Sequence, residues 1–185
     1  MIHYIYIPGF GGRFDKLRQK ALQKWSNPAT HVTFVPMHWR DKNETYQQKY
    51  ERVVVAIALF PDDETRLVGE SAGGAMALYA FLRQPRLIAS LVTVCGYNYH
   101  AKGIGLSVRM RQPAFYKLVQ EIDTHIGNLT LDDRRRITTL YSRQDHVVRQ
   151  RYSLIKDAHQ RALSTPGHFW SIASVLIRGP HKMSL

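Results

Sequence analysis

Cysteine is almost absent from this sequence. Cys95 stands alone, which excludes an intrachain disulfide and any zinc site built from several cysteines. Set beside the apolar run Leu91-Val92-Thr93-Val94, it reads as a buried, inert thiol rather than a reactive one. Acidic residues are sparse as well: 14 Asp and Glu face 26 Lys and Arg, a formal charge of +12. No apolar run is long enough to span a membrane, and Met1 to Phe10 carry neither the basic start nor the long apolar core of a signal peptide. The expectation is one cytoplasmic, soluble domain over residues 1–185, large enough to bury a core without disulfides or metals.

A positive charge of this size suits nucleic acid, an anionic membrane or an acidic substrate, or else a solvated basic surface. Basic residues are spread along the whole chain, with Arg134-Arg135-Arg136 the one tight cluster. No RNA-recognition signature, zinc finger or helix-turn-helix spacing accompanies them. A solvated surface is the favoured reading, and nucleic acid is not an expected partner. Association with anionic membranes stays open with no motif in its support, and no oligomeric state is read from the sequence.

Periodicity organises the chain into alternating strands and helices. Ile2 to Ile7 form a short apolar run ended by Pro8-Gly9, after which Phe14, Leu17, Ala21, Leu22 and Trp25 recur at helical spacing. His31 to Pro36 read as a second strand, and Tyr46, Tyr50, Val53, Val54, Ile57 and Leu59 as a helix closed by Phe60-Pro61. Arg66-Leu67-Val68 is a third strand, leading into the apolar helix Ala75 to Leu82. Ala89 to Cys95 make a fourth, near-continuously apolar, as expected where helices bury both faces. In residues 97–135, Gly103-Ile104-Gly105 reads as loop, and Phe115, Leu118, Val119, Ile122 and Ile126 as a helix, a stretch too short for an independent lid. Arg136 to Tyr141 form a fifth strand, Arg149 to Lys156 a short helix, Ala158 to Leu163 a sixth strand and His168 to Ile177 the last helix. The pattern predicts an α/β fold of about six mostly parallel strands with helices on both faces, whose ligands bind at the carboxyl ends of the strands.

One motif sits at such an end. Gly69-Glu70-Ser71-Ala72-Gly73 lies between the third strand and its helix, the setting of a G-x-S-x-G nucleophile elbow. The turn crowds strand against helix so closely that only glycine is accommodated two residues either side of the serine. Ser71 is the candidate nucleophile, and the helix N-terminus beneath it favours developing negative charge. Glu70 reads as a hydrogen-bonding or surface residue. A serine needs a base, and the base a carboxylate to orient it. Asp145 follows the fifth strand and His168 the sixth, in the chain order Ser, Asp, His. Asp132 and Asp133 precede the fifth strand, His159 falls inside the sixth, and His181 lies near the C-terminus, so all four compete less well. His38 and Trp39 after the second strand, and Tyr97, Tyr99 and His100 after the fourth, either line the pocket or merely pack their loops.

On the elbow, the Asp145 loop with Val147-Val148, the Gly167-His168 pair and Pro8-Gly9-Phe10-Gly11-Gly12, the chain resembles a small member of the α/β-hydrolase superfamily over almost its whole length. The resemblance implies a compact α/β-hydrolase fold with minimal or no cap, and an oxyanion hole formed by the backbone N–H groups of Phe10 and Ala72. Such donors are each worth on the order of 3 kcal/mol of transition-state stabilisation. Many members carry His where this chain has Pro8, and full-length members have further N-terminal strands. The Gly-Glu-Ser-Ala-Gly-Gly elbow matches large carboxylesterases, whereas the length is similar to short, lidless serine hydrolases of the retinoblastoma-binding type. The implied activity is cleavage of an ester, thioester or related acyl bond through an acyl-enzyme, on a small-molecule substrate, with no cofactor and no metal. Two other readings stand beside it: a noncatalytic hydrolase-fold protein whose basic surface engages acidic partners, and a lipid-acting esterase drawn to anionic membranes.

Overall fold

The computed structural model describes residues 1–179; His181 lies outside them. Six strands, β1 (Ile2–Ile7), β2 (Thr30–Phe34), β3 (Glu64–Glu70), β4 (Ser90–Val94), β5 (Ile137–Ser142) and β6 (His159–Leu163), form one sheet in the order β2-β1-β3-β4-β5-β6. Every pairing is parallel. Among the described residues there are eight α-helices: α1 (Asp15–Leu22), α2 (Tyr46–Ala58), α3 (Ala72–Arg83), α4 (Leu106–Arg111), α5 (Pro113–His125), α6 (Leu131–Arg135), α7 (Gln150–Ser153) and α8 (His168–Arg178). None is long and apolar enough to cross a membrane.

The alternation within each strand divides the core in two. Ile5 and Ile7 of β1 and Leu67 of β3 pack under α2, α3 and α5, whereas Tyr4, Tyr6 and Val68 face α1 and α8 with Trp25, Ile172 and Val175. Because both faces are covered, the strands carry apolar residues at successive positions. The chain leaves β1 toward β2 at one edge and returns to β3 on the other side of β1. The loops after β1 and β3 therefore part at this point, which is where open parallel sheets bind ligands.

Three details differ from the expectation. β3 spans seven residues rather than Arg66 to Val68, because Glu64 and Thr65 pair with Ile2 and His3, and Glu70 with Val94; main-chain pairing continues where the side chains give no apolar signal. Between β4 and β5 the structure has α4 and α6 in addition to α5. α5 starts at Pro113, whose fixed φ suits a first helical position, and packs on α2 and α3 within the layer on that face. α6 is held by a capping box in which the Thr130 and Asp133 side chains each bond the other's backbone N–H. The helix expected over Arg149 to Lys156 is only the single turn α7, since Leu154 is already extended.

The loop from β2 to α2 is fixed by charge. Glu44 accepts hydrogen bonds from Arg52 and from the fully buried Lys49, whose ammonium also donates to the His38 carbonyl. The Arg52 hydrogen bond is the main cause that lowers Glu44 from 4.5 to about 2, against an opposing push from burial. A carboxyl depressed in the folded state stabilises it above the unfolded pKa and loses that contribution as pH falls through the folded one. The stability at issue is thus full above about pH 4.5 and drains away toward pH 2. Glu44→Gln is expected to lower the urea midpoint at pH 7 and to flatten the decline over this acid window. An unchanged acid limb would mean the loop is not held by this charge.

Candidate active site

Ser71 is the N-cap of α3, with φ 50° and ψ −121°, a conformation that residues with a Cβ rarely adopt. The turn is imposed from both sides. The Ser71 N–H donates to the Val94 carbonyl at 3.0 Å, and the Ser71 carbonyl accepts from Tyr97 and Gly74, each at 3.0 Å. A Cβ on Gly69 would lie 2.8 Å from the Ala77 Cβ, and one on Gly73 would run into the carbonyl of Ile7. Both glycines of the motif are therefore required by close approach, as the sequence predicts. A Cβ on Gly9 would meet the Ser71 Cβ at 2.8 Å, which puts the loop after β1 directly against the serine.

Ala72 is the first residue of α3, so its N–H has no partner one turn back. The Phe10 N–H is likewise engaged by no backbone bond among the described residues; its carbonyl accepts from Gly12 at 3.0 Å. This loop is clamped at three points. Trp39 Nε1 donates to the Pro8 carbonyl at 2.9 Å, the Gly9 N–H donates to Glu70 Oε1 at 3.2 Å, and Arg18 donates to the Gly11 carbonyl at 2.6 Å. Glu70 is buried, salt-bridged to Arg18 and hydrogen-bonded by the Tyr6 hydroxyl. Burial, then the Glu70 charge, holds the Tyr6 hydroxyl well above its ordinary pKa, so it stays a donor. Glu70 is thus the hydrogen-bonding residue expected of it, though it faces inward and not to the surface.

Arg18 joins the site without belonging to any of its motifs, yet the sequence marks it. It falls four residues before Leu22, on the buried face of α1, where a charged residue is out of place unless it has a buried partner.

The loops after β5 and β6 bring Asp145 and His168 together. Asp145 Oδ1 accepts the N–H groups of Val147 and Val148, each at 2.8 Å, and Oδ2 lies 2.7 Å from His168 Nδ1. Burial pushes the Asp145 carboxyl up, but the His168 hydrogen bond and the Val148 and Val147 N–H groups outweigh it, and the pKa is lowered. Facing a carboxylate, Nδ1 is the donor nitrogen, which leaves Nε2 as the acceptor. The His168 loop is tied to the end of β5: Ser142 Oγ accepts from the Gly167 N–H at 3.1 Å and donates to the Thr165 carbonyl at 3.2 Å. Gly167, at φ 72°, turns the chain into α8. Among the described residues no hydrogen bond joins the Ser71 hydroxyl to His168.

The competing residues lie elsewhere. His159 is the first residue of β6, at the amino end of the sheet, and Asp132 and Asp133 belong to α6 before β5. Trp39 is buried and packs edge-on to Phe10 and Phe115, both 5.8 Å away. It and His38 line a cleft of about 420 Å³ beside Gly9 and Phe10, with Arg13, Arg40 and Asp41 at its sides. Tyr97 stacks on Tyr152 at 4.8 Å and donates to the His100 carbonyl, and Tyr99 packs on His100, which is loop packing.

Cys95, Asp145 and His168 each offer a ligand atom within 4.8 Å of the others. Burial, followed by the Asp145 charge, pushes the Cys95 thiol up to about 12. A neutral thiol is a poor metal ligand, and the facing atoms of Asp145 and His168 are already committed to one another.

No protein-family model and no curated protein matches this sequence. Solved structures with the same fold include Est1E from Butyrivibrio proteoclasticus, at TM-score 0.63 and 13% identity over 96% of this chain and 85% of that one. The mouse alpha/beta hydrolase domain-containing protein 10 aligns at TM-score 0.61 and 14% identity, over 94% and 86%. A meta-cleavage product hydrolase from Pseudomonas fluorescens aligns at 0.60 and 15%, over 95% and 86%. At such identities the likeness speaks for the fold.

Proposed function

We propose that this chain, which has the α/β-hydrolase fold, is a serine hydrolase of carboxylic esters, thioesters or related small acyl substrates. The observation that carries the reading is that a serine on a strained turn, a Phe10 N–H engaged by no backbone group among the described residues, the first N–H of α3 and a buried Asp–His pair all lie at the carboxyl end of the strands. In the mechanism we infer, His168 Nε2 takes the Ser71 proton as Oγ bonds to the acyl carbon. The carbonyl electron pair moves onto oxygen, where the N–H groups of Phe10 and Ala72 stabilise it. Collapse expels the leaving group, which takes the proton from His168, and leaves the acyl-enzyme. Water, giving a proton to His168, adds to the acyl carbon; collapse then breaks the bond to Oγ, which takes that proton back from His168, so the acid leaves and Ser71 and a neutral His168 are restored. Asp145 stabilises the imidazolium throughout without itself taking the proton.

The test needs no knowledge of the natural substrate. Intact-mass analysis after treatment with a fluorophosphonate is expected to give a single adduct, absent in Ser71→Ala and in His168→Ala. Asp145→Asn is expected to lower the labelling rate by about 10⁴-fold, because an amide no longer selects the Nδ1–H tautomer. A folded native chain that takes no label would overturn the reading and favour a noncatalytic binding protein.

A further inference from the structure

One surface of the molecule is apolar where a solvated helix should be polar. α8 carries no charged residue before Arg178. Its inner face, Ile172, Val175 and Leu176, is buried against the sheet. Its outer face is also apolar, with Phe169 at 70%, Trp170 at 72% and Ile177 at 72% exposure. Only the side carrying Ser171, Ser174 and Arg178 is polar, whereas the solvent side of an amphipathic helix is ordinarily polar. Leu17 of α1, 67% exposed, and Phe14 continue this face across a groove of about 460 Å³ between the two helices. Contiguous exposed apolar surface of this kind marks an interaction site.

The rim is basic. Lys16, Lys20 and Lys24 are exposed and spaced four apart, so they run beside Leu17 and Ala21, and the Arg13 guanidinium lies 4.8 Å from the Phe14 ring centre. The only acid among residues 12–25 is Asp15, already paired with Arg18, and residues 158–178 contain none. Aliphatic and aromatic side chains ringed by Lys and Arg are what a helix lying in the headgroup region of an anionic bilayer presents. A second copy is a poorer match, because self-association would bring together two chains of charge +12. Leu17, Ala173 and Ile177 likewise offer nothing to a nucleic acid, whose affinity comes from phosphate contacts.

We infer that the α1–α8 face is a docking surface for anionic lipid membranes. The inference does not depend on the catalytic reading, since it uses neither Ser71 nor Asp145. Tryptophan fluorescence reports it directly, because Trp25 and Trp39 are buried and Trp170 alone of the three is exposed. The full chain is expected to co-sediment at low salt with vesicles containing phosphatidylserine, and not with pure phosphatidylcholine, with a blue shift of the emission. Trp170→Phe is expected to keep binding and lose the shift. Lys20→Gln with Lys24→Gln is expected to weaken binding about 30-fold, and Leu17→Ser with Ile177→Ser at least about tenfold, with thermal midpoints unchanged because all four side chains are exposed. Absence of binding at low salt would overturn the inference. So would binding indifferent to Leu17→Ser with Ile177→Ser, which would reduce it to unspecific adhesion of a basic protein. A blue shift that grows with protein concentration in the absence of vesicles would assign the face to a second copy. Ser71→Ala should bind as the native chain does, so failure of the hydrolase reading and failure of this one are distinguishable.

Discussion

Ser71→Ala is expected to lower acyl turnover by about 10⁶-fold, whereas Ser71→Gly, equally inactive, is expected to be more stable than the native chain. The two substitutions remove the same hydroxyl and differ only in the Cβ. Ser71 sits at φ 50°, ψ −121°, and holding a residue with a Cβ in such a region costs about 1–3 kcal/mol. Alanine keeps that strain; glycine removes it. Against the relief stands the greater freedom of glycine in the unfolded chain, about 0.5–1 kcal/mol. The balance is a gain of about 1 kcal/mol, or about 2–4 °C in thermal midpoint for a chain of this size. Ser71 has no hydrogen-bonded side-chain partner among the described residues, so neither variant forfeits one. Urea midpoints for the three proteins decide the matter. A glycine variant less stable than the native chain would show that the elbow is not where strain is stored.

The expected trade of stability for a poised hydroxyl also explains why this site was legible in the sequence. Gly69 is crowded by Gly73, Gly74 and Ala77 of the helix that follows it, and Gly73 by the Ile7 and Pro8 carbonyls at the end of the neighbouring strand; both demands fall on glycines of one five-residue motif, which is what the sequence records. Asp145 and His168 could be placed in one another's reach because a parallel sheet delivers every loop after a strand to the same end, and strands with both faces buried announce themselves as apolar runs. The parts that were not legible depend on partners distant in the chain. β3 extends to Glu64 because β1 is there to pair with it, and no side-chain periodicity records that. α4 and α6 are short, and α6 owes its existence to one capping box rather than to an apolar stripe. Glu70 offered two readings because its partners, Tyr6 and Arg18, lie 64 and 52 residues away.

That buried cluster carries the second large expected effect. Glu70→Gln is predicted to cut kcat by about 10²-fold with KM nearly unchanged, the size expected when a positioned group is displaced by about 1 Å or an oxyanion donor is weakened. Glu70 is buried at 1% exposure, so in the proposed mechanism it is a positioning residue. Its Oε1 holds the Gly9 N–H, and Arg18, anchored on the same carboxylate, holds the Gly11 carbonyl. Phe10, whose N–H is assigned to the oxyanion, lies between these two tethers. Removing the charge also leaves the largely buried Arg18 guanidinium with the half-buried Asp15 as its one carboxylate among the described residues, so stability should fall by about 3 kcal/mol. A merely structural role would predict the same loss of stability. The two are separated by the pair Glu70→Gln with Arg18→Met, which deletes the unpaired charge and should recover much of the stability. It cannot restore the Gly11 tether, so kcat and the fluorophosphonate labelling rate should stay depressed. If both instead recover in step with the folded fraction, the cluster supports the fold and leaves the oxyanion loop to be held by Trp39 alone.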